Sequence, residues 1–586
     1  MNKELESFLD YHLCNDTDES KITMFPLQCG IGKSEYIPKA IADALKNDEG
    51  LIVVTDEKER LKSYVSKVRD EDLAAYISSN MDKITVLTAE NFADEIKTLS
   101  SKPIVLMTTQ RYFNLIRDEI IDLTSGKQKR KKIIFDEKAY LLENRNITVK
   151  TLNDIDTALK VSLINTVDPE KKKFMIEHFT EINKFLQEKL AENEELNTDL
   201  SNLNRTVIFD AGMRRLDDKF VEYAEEYRML LRKTNSDILK DIRAIRKLFL
   251  GSVVVSQKVF SISDRDRYGN YFVVVYNNCD KLVDIGAKVF VLDGTADISP
   301  EMRLKCVELV NCNRFRKDLS KLTINIVNFN TSKSKLTDNS ESTKKLFAGM
   351  IQYIKSRTPE IDTVFTYQAI ESEFKENFKN VEHFGNIKGG NQYRNVNNIC
   401  QVGMHRWPEL VYTLYFSEII QYNEDYELTN VIGDIIDIDN LKCRLLLADM
   451  EQNMFRSKIR NRDNTEECVF TLIYNPLEKN VFFEEYSPLL KAIMERYNTS
   501  GVKINFTEDP PEFKEIKAMS RKTVKETTAQ KFYKWVRQPH DIKEFMRKDV
   551  MRECGITESQ FKDLKRSGAL REFATDDPKV YRIKDN

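Results

Sequence analysis

From Ile22 to Ala139, short apolar runs alternate with polar stretches long enough to be helices: Ile22 to Leu27, Leu51 to Thr55, Ile84 to Thr88, Ile104 to Thr108 and Ile133 to Phe135. Runs of this kind predict strands covered on both faces, in a parallel sheet built from β-α-β units. The alternation commits this part of the chain to an α/β architecture. A chain of 586 residues also exceeds what one hydrophobic core supports, so several domains are expected.

The pattern changes at Thr151. Between there and Leu250 stand one proline, Pro169, and one glycine, Gly212, while Phe174, Ile176, Phe179, Ile182, Phe185 and Leu186 recur at heptad-like spacing. This segment is predicted to be a mainly helical insertion. Strand signals return at Val253 to Val255 and Tyr271 to Tyr276, around a polar stretch in which Gly269-Asn270 predicts a hairpin turn. A buried strand, Val289 to Leu292, follows, and the alternation resumes with Ile324 to Val327, Thr363 to Thr366, Ile399 to Val402 and Cys443 to Ala448. Pro510-Pro511 marks a linker, and the tail beyond it carries 19 lysines and arginines against 13 acids. The expected order is therefore lobe 1 over 1–147, the helical insertion over 148–251, a return to lobe 1 with the hairpin over 252–312, lobe 2 over 313–505, and a basic domain over 512–586.

Composition narrows the class further. An apolar fraction of 41% with 32% charged residues fits a globular protein, and a net charge of -3 means that any polynucleotide surface must be local. Nine scattered cysteines without a Cys-x-x-Cys pair argue against a zinc or disulfide scaffold and for a reducing compartment. No apolar run spans a bilayer and Met1 to Leu13 is too acidic for a signal peptide, so no membrane partner and a cytoplasmic location are expected.

Gly30-Ile31-Gly32-Lys33-Ser34 follows the first apolar run and precedes a helical stretch. Small residues let backbone amides close around phosphate oxygens, the lysine reaches the β and γ phosphates, and the hydroxyl ligates magnesium. These residues are expected to form a phosphate-binding loop for ATP and Mg2+. About a hundred residues later, the strand Lys132 to Phe135 delivers Asp136-Glu137. Adjacent acids at a strand end suit metal-assisted phosphoryl transfer, Asp136 toward hydrated magnesium and Glu137 toward the attacking water.

With those two segments in place, the chain resembles the superfamily 2 helicases, whose familiar members are the DEAD/DEAH-box proteins. Leu27, two residues, then Gly-x-Gly-Lys-Ser is the form of the loop in that family, and Asp136-Glu137-Lys138-Ala139 occupies the eponymous box. The resemblance runs in motif order over roughly residues 20 to 470. It implies that Thr109 and Arg111, in Thr108-Thr109-Gln110-Arg111, touch the nucleic-acid backbone. It also implies that Thr295, in Asp293-Gly294-Thr295-Ala296, couples hydrolysis to lobe movement. Lys388 and Asn391, in the glycine-rich segment Phe384 to Asn391, would meet the strand. Gln452 to Arg460 is similar to the arginine-finger motif, with Gln452, Arg456 and Arg460 as candidates. Here the sequence departs from the family: Phe455 replaces the usual glycine and the second arginine comes one place late, at Arg460. The pair is read as lying one helical turn apart, and the choice between them stays open.

In the tail, Asp541 to Cys554 predicts a helix closed by Gly555. Thr557 and Gln560 suit a reciprocal cap, and Leu570 to Ile583 suits a small wing. This resembles a winged helix offering Lys562, Lys565 and Arg566 to phosphates. Trp407 and His405 would stack on a base or, the favoured reading, pack at the lobe interface. The fold expected is thus two RecA-like parallel-sheet lobes with a helical insertion and a small C-terminal winged-helix-like domain. The function the resemblance implies is an ATP-dependent helicase or translocase on DNA with a single-stranded region, or on RNA, in a mobile-element or antiviral-defence setting. A protein partner on the insertion or the tail would suit it. Two rivals stand beside this: an ATPase sensor that binds nucleic acid without separating strands, and a scaffold with a relic nucleotide site.

Overall fold

The computed structural model describes residues 3–87, 102–125, 128–163, 168–195, 206–209, 214–250, 253–262, 265–332, 336–337, 341–357, 361, 363–385, 392–407, 409–423, 435–475, 488–498, 501–508, 510, 513, 531–532, 535, 544–566, 570, 573, 575 and 580–582. Among them no helix is long and apolar enough to cross a membrane.

The first lobe is built on a seven-stranded parallel sheet. In chain order its strands are β1 (Ile22–Phe25), β2 (Gly50–Thr55), β3 (Ile84–Leu87), β4 (Ile104–Thr108) and β5 (Arg130–Asp136), followed much later by β10 (Lys288–Leu292) and β11 (Val307–Leu309). The order across the sheet is β11-β1-β10-β5-β2-β4-β3. Alternate residues serve opposite faces: Ile133 and Phe135 enter one apolar cluster, Ile134 the other. Helices cover both faces, which is why the strands read as continuous apolar runs.

The second lobe carries a six-stranded parallel sheet of β12 (Leu322–Asn328), β13 (Thr363–Thr366), β14 (Asn380–His383), β15 (Asn398–Val402), β16 (Cys468–Tyr474) and β17 (Lys503–Thr507), in the order β14-β13-β15-β16-β12-β17. The two lobes are RecA-like. Cys443 to Ala448, expected as a strand, lies instead within the helix Ile435–Met454. Its apolar residues serve two cores: Leu441 and Leu445 pack with lobe 1, and Leu446, Leu447, Met450 and Met454 fill lobe 2. A helix buried on two sides has no polar face to betray its 3.6-residue period. The strand that takes that place in the sheet is β16.

Between β5 and β10 stand helices Val149–Ser162, Pro169–Glu195, Asp218–Glu226, Arg228–Thr234 and Ile238–Leu248. They pack on a four-stranded antiparallel sheet of β6 (Leu142–Thr148), β7 (Thr206–Phe209), β8 (Val253–Ile262) and β9 (Arg265–Asn277), ordered β6-β9-β8-β7. The hairpin thus pairs with strands of the inserted segment and not with the lobe 1 sheet. It also turns earlier in the chain than expected, between Ile262 and Arg265. Gly269 and Asn270 sit inside β9 opposite Lys258 and Gln257, because β8 and β9 continue past the body of the sheet, where the sequence becomes polar. Along β9, Phe272, Val274 and Tyr276 face the helices of the insertion, and Tyr271, Val273 and Val275 enter the cluster shared by lobe 1 and the helix Glu409–Asn423.

The lobe 2 helix Glu409–Asn423 lies on this sheet. Tyr415 donates its hydroxyl to the Leu142 carbonyl at 3.1 Å, and Glu418 accepts from the amide of Asn277 and from its side chain, at 3.2 and 2.7 Å. Lys247 completes a partly buried ion pair with Glu418 at 2.9 Å. In the tail, β18 (Glu544–Met546) pairs antiparallel with β19 (Val580–Arg582) beside helices Arg547–Glu553 and Glu558–Arg566. Thr557 and Gln560 cap reciprocally, and Gly555 turns the chain at φ +59°. The first of these helices is shorter than expected, since residues 544–546 are drawn into the small sheet.

Candidate functional site

The strand order sets β10 between β1 and β5, with Phe25 level with Leu292 and Leu292 level with Asp136. The loop Gly30 to Ser34, Asp293 and Asp136 therefore leave the sheet side by side at its carboxyl edge, where open α/β sheets bind ligands. The loop turns through Gly30 at φ +87° and Gly32 at φ +103°, and the helix Lys33–Lys46 starts immediately after. A side chain at Gly30 would place its Cβ 1.5 Å from the carbonyl oxygen of Arg460, so only glycine lets the loop meet lobe 2 this closely.

Lys33 is 6% exposed. Burial works against its charge, but Cys29, Glu137, Asp136 and Asp293 outweigh burial and hold its pKa above the ordinary lysine value. The Ser34 hydroxyl donates to Asp136 Oδ1 at 3.2 Å, and the Tyr64 hydroxyl donates to Asp136 Oδ2. Glu137 adopts φ +97°, a conformation costly for a residue with a side chain and one that persists where the surroundings enforce it. Its carboxylate accepts from Arg60 Nη1 at 2.5 Å. Burial favours its neutral form, but Arg60, Lys33 and Arg456 prevail and hold its pKa below the usual glutamate value.

Lobe 2 closes the site. Lys33, Glu137, Thr295, Gln452, Arg456 and Arg460 line one opening of about 260 Å³ between the lobes. Arg456 and Arg460 do not share a helix, contrary to the expectation from their spacing. The helix Ile435–Met454 ends before them, Phe455 is buried in the lobe 2 core, and Lys458–Arg460 forms a separate 3-10 turn. Burial and the like charges of Arg456 and Arg60 depress the pKa of Arg460. Thr295 donates to Asp293 at 3.0 Å and lies 3.5 Å from Gln452 Nε2, so the loop after β10 touches lobe 2 directly.

Arg60, Tyr64 and Arg496 had no motif to announce them, and Lys138, inside the acidic box, had no role assigned. Arg60 and Tyr64 come from the helix Lys58–Ser66. Lys138 pairs with buried Glu301 at 3.0 Å, and Arg496 bridges Glu451 and Asp297 at 2.7 Å each, tying lobe 2 to the segment after β10.

The nucleic-acid candidates are more dispersed. Thr109 is buried at the start of the helix Thr109–Asn114. Arg111 is partly buried, and burial, with Arg232 nearby, lowers its pKa to about 10. Lys388 and Asn391 lie outside the described residues, as does the side chain of Arg566. Lys562 and Lys565 are exposed on the tail helix. Trp407 packs, stacking on Tyr412 at 5.8 Å and meeting Tyr415 at 5.2 Å, while His405 Nδ1 stands 3.4 Å from Asp449.

No protein-family model matches the sequence, and no curated protein matches it. Among solved structures the chain is similar to S. tokodaii Xpd4, at 13% identity and TM-score 0.47, covering 86% of this chain and all of that one. It is similar to the DUF1998 helicase MrfA bound to DNA, at 9% identity and TM-score 0.30, covering 99% of this chain and 57% of that one. It is also similar to Mss116p bound to ssRNA and AMP-PNP, at 11% identity and TM-score 0.29, covering 95% and 87%.

Proposed function

We propose that the chain is a nucleic-acid-stimulated ATPase of the superfamily 2 helicase type, moving on or unwinding DNA or RNA with ATP held between its lobes. The observation that carries this reading is the single opening lined by Lys33 and Glu137 from one lobe and by Arg456 and Arg460 from the other. In the adjoining opening, lined by Gly30, Gly32, Lys33, Ser34, Glu137 and Arg460, the amides of the Gly30–Gly32 loop and the Lys33 ammonium bind the β and γ phosphates. A hydroxyl and a carboxylate 3.2 Å apart, Ser34 and Asp136, are hard oxygen donors that suit magnesium. Ser34 and Asp136 would hold that ion, whose charge would offset that of the phosphates.

Glu137, kept ionised by the cations around it, polarises the attacking water. Arg456 or Arg460 then offsets charge on the transferred phosphoryl group, and does so only while the lobes are closed. Thr295 and Gln452 meet across the lobe boundary and would carry that closure to the strand-binding surface. Arg111, Lys388, Asn391 and the exposed tail lysines Lys562 and Lys565 are proposed to contact the polynucleotide backbone, with Thr109 at the start of the helix that carries Arg111.

Lys33→Ala and Glu137→Gln should each lower ATP turnover by about a hundredfold or more, measured with and without single-stranded DNA and RNA. Wild-type turnover in both variants would refute the assignment. The sensor reading draws on a specific observation, the partly buried Lys247–Glu418 pair that ties the insertion to lobe 2 and would report lobe closure to a partner on the insertion. Stimulated hydrolysis without strand displacement on any overhang would favour it.

A further inference from the structure

The acids assigned to catalysis are already occupied by groups from their own lobe. Arg60 Nη1 lies 2.5 Å from Glu137 Oε1 and 3.7 Å from Asp136 Oδ2, and its Nε lies 3.6 Å from Glu57. One turn later on the same helix, Tyr64 gives its hydroxyl to Asp136 Oδ2. Arg60 is 11% exposed in its side chain and Asp136 not at all, so this is an enclosed arrangement and not a solvated surface pair. A carboxylate bonded to a guanidinium is poorly placed to polarise water, and one bonded to a tyrosine hydroxyl has an oxygen fewer for a metal shell.

We propose that Arg60, assisted by Tyr64, is a nucleotide-responsive restraint on the hydrolytic acids: it holds Glu137 and Asp136 through these contacts and surrenders them when a triphosphate and its metal enter. Guanidinium binds phosphate oxygens as readily as carboxylates. The incoming γ-phosphate competes for Arg60, and the metal competes for Asp136. Glu137 is then free to face water only when a triphosphate is present. Arg60 acts through Glu137 and is a positioning residue. The inference rests on the ATPase reading and makes its regulation specific: each turnover must first displace a group on the lobe that binds ATP, in addition to the need for lobe closure.

The test uses the full chain and Mn2+ alone as the probe, titrated without nucleotide and followed by electron paramagnetic resonance. Nucleic-acid-free ATP turnover is measured beside it. Arg60→Gln removes the cation that shields both acids, so Mn2+ should bind about tenfold more tightly than to wild type and turnover should rise several-fold. Arg60→Lys restores the charge and should return both values toward wild type. Tyr64→Phe, which removes only the hydroxyl on Asp136, should also tighten Mn2+ binding and serves where Arg60→Gln is poorly folded. Unchanged Mn2+ affinity in both Arg60→Gln and Tyr64→Phe, or slower turnover in Arg60→Gln, overturns the restraint. If wild type neither binds nor hydrolyses ATP, the ATPase reading itself fails, which is a different result.

Discussion

Lys33 keeps its charge in a place where burial alone would tend to remove it, because acids surround it. That balance is what a short motif encodes: a phosphate site needs this cation, this hydroxyl and this backbone freedom in consecutive positions, so Gly30 to Ser34 could be read directly. Asp136 and Glu137 were legible for the same reason. Arg60 and Tyr64 were not, since their partners stand 72 to 77 positions away and only the fold brings them together. Lys281 shows burial winning instead. Its ammonium donates to the Phe113 carbonyl at 2.7 Å, and burial, reinforced by Arg243, brings its pKa down to about 7. The unfolded chain, with a lysine pKa of roughly 10.4, therefore binds more protons than the folded one between the two values, and stability rises with pH across that window. Urea unfolding at about pH 6.5 and about pH 9 should show this rise in wild type and a smaller one in Lys281→Met. Equal slopes would contradict it.

At the scale of elements, legibility followed the number of cores each element serves. The strands of lobe 1 lie between two helical layers and were readable as apolar runs. The helix Ile435–Met454 lies between two cores and was taken for a strand in its central turn. The helix Glu409–Asn423 is similarly apolar on most sides, with Tyr412, Tyr415 and Phe416 all buried. Its buried acid Glu418 meets Lys247 and Asn277 from the inserted segment. Glu418→Ala would leave Lys247 without its carboxylate and two Asn277 groups without their acceptor. A loss of about 1–3 kcal/mol is expected after allowing for the partial exposure of Lys247, read as a lower urea midpoint. Replacing both Lys247 and Glu418 with methionine should recover part of it, since no buried charge is then left alone.

For the whole molecule, the sequence pointed to two parallel-sheet lobes whose loops share one triphosphate, and both sheets turn out to present those loops to a common opening. The sequence did not reveal that the antiparallel sheet of the inserted segment also packs on lobe 2. Such contacts join residues more than a hundred positions apart and leave no local period. They make the insertion a third body touching both lobes, so any change of lobe closure must reach it. The central claim is that catalysis needs groups from both lobes at once. Single-turnover hydrolysis at saturating ATP, with ATP binding measured alongside, tests it in Arg456→Ala and Arg460→Ala. At least one variant should lose about a hundredfold or more in hydrolysis while binding ATP within about tenfold of wild type. Wild-type hydrolysis in both would contradict a site shared between the lobes.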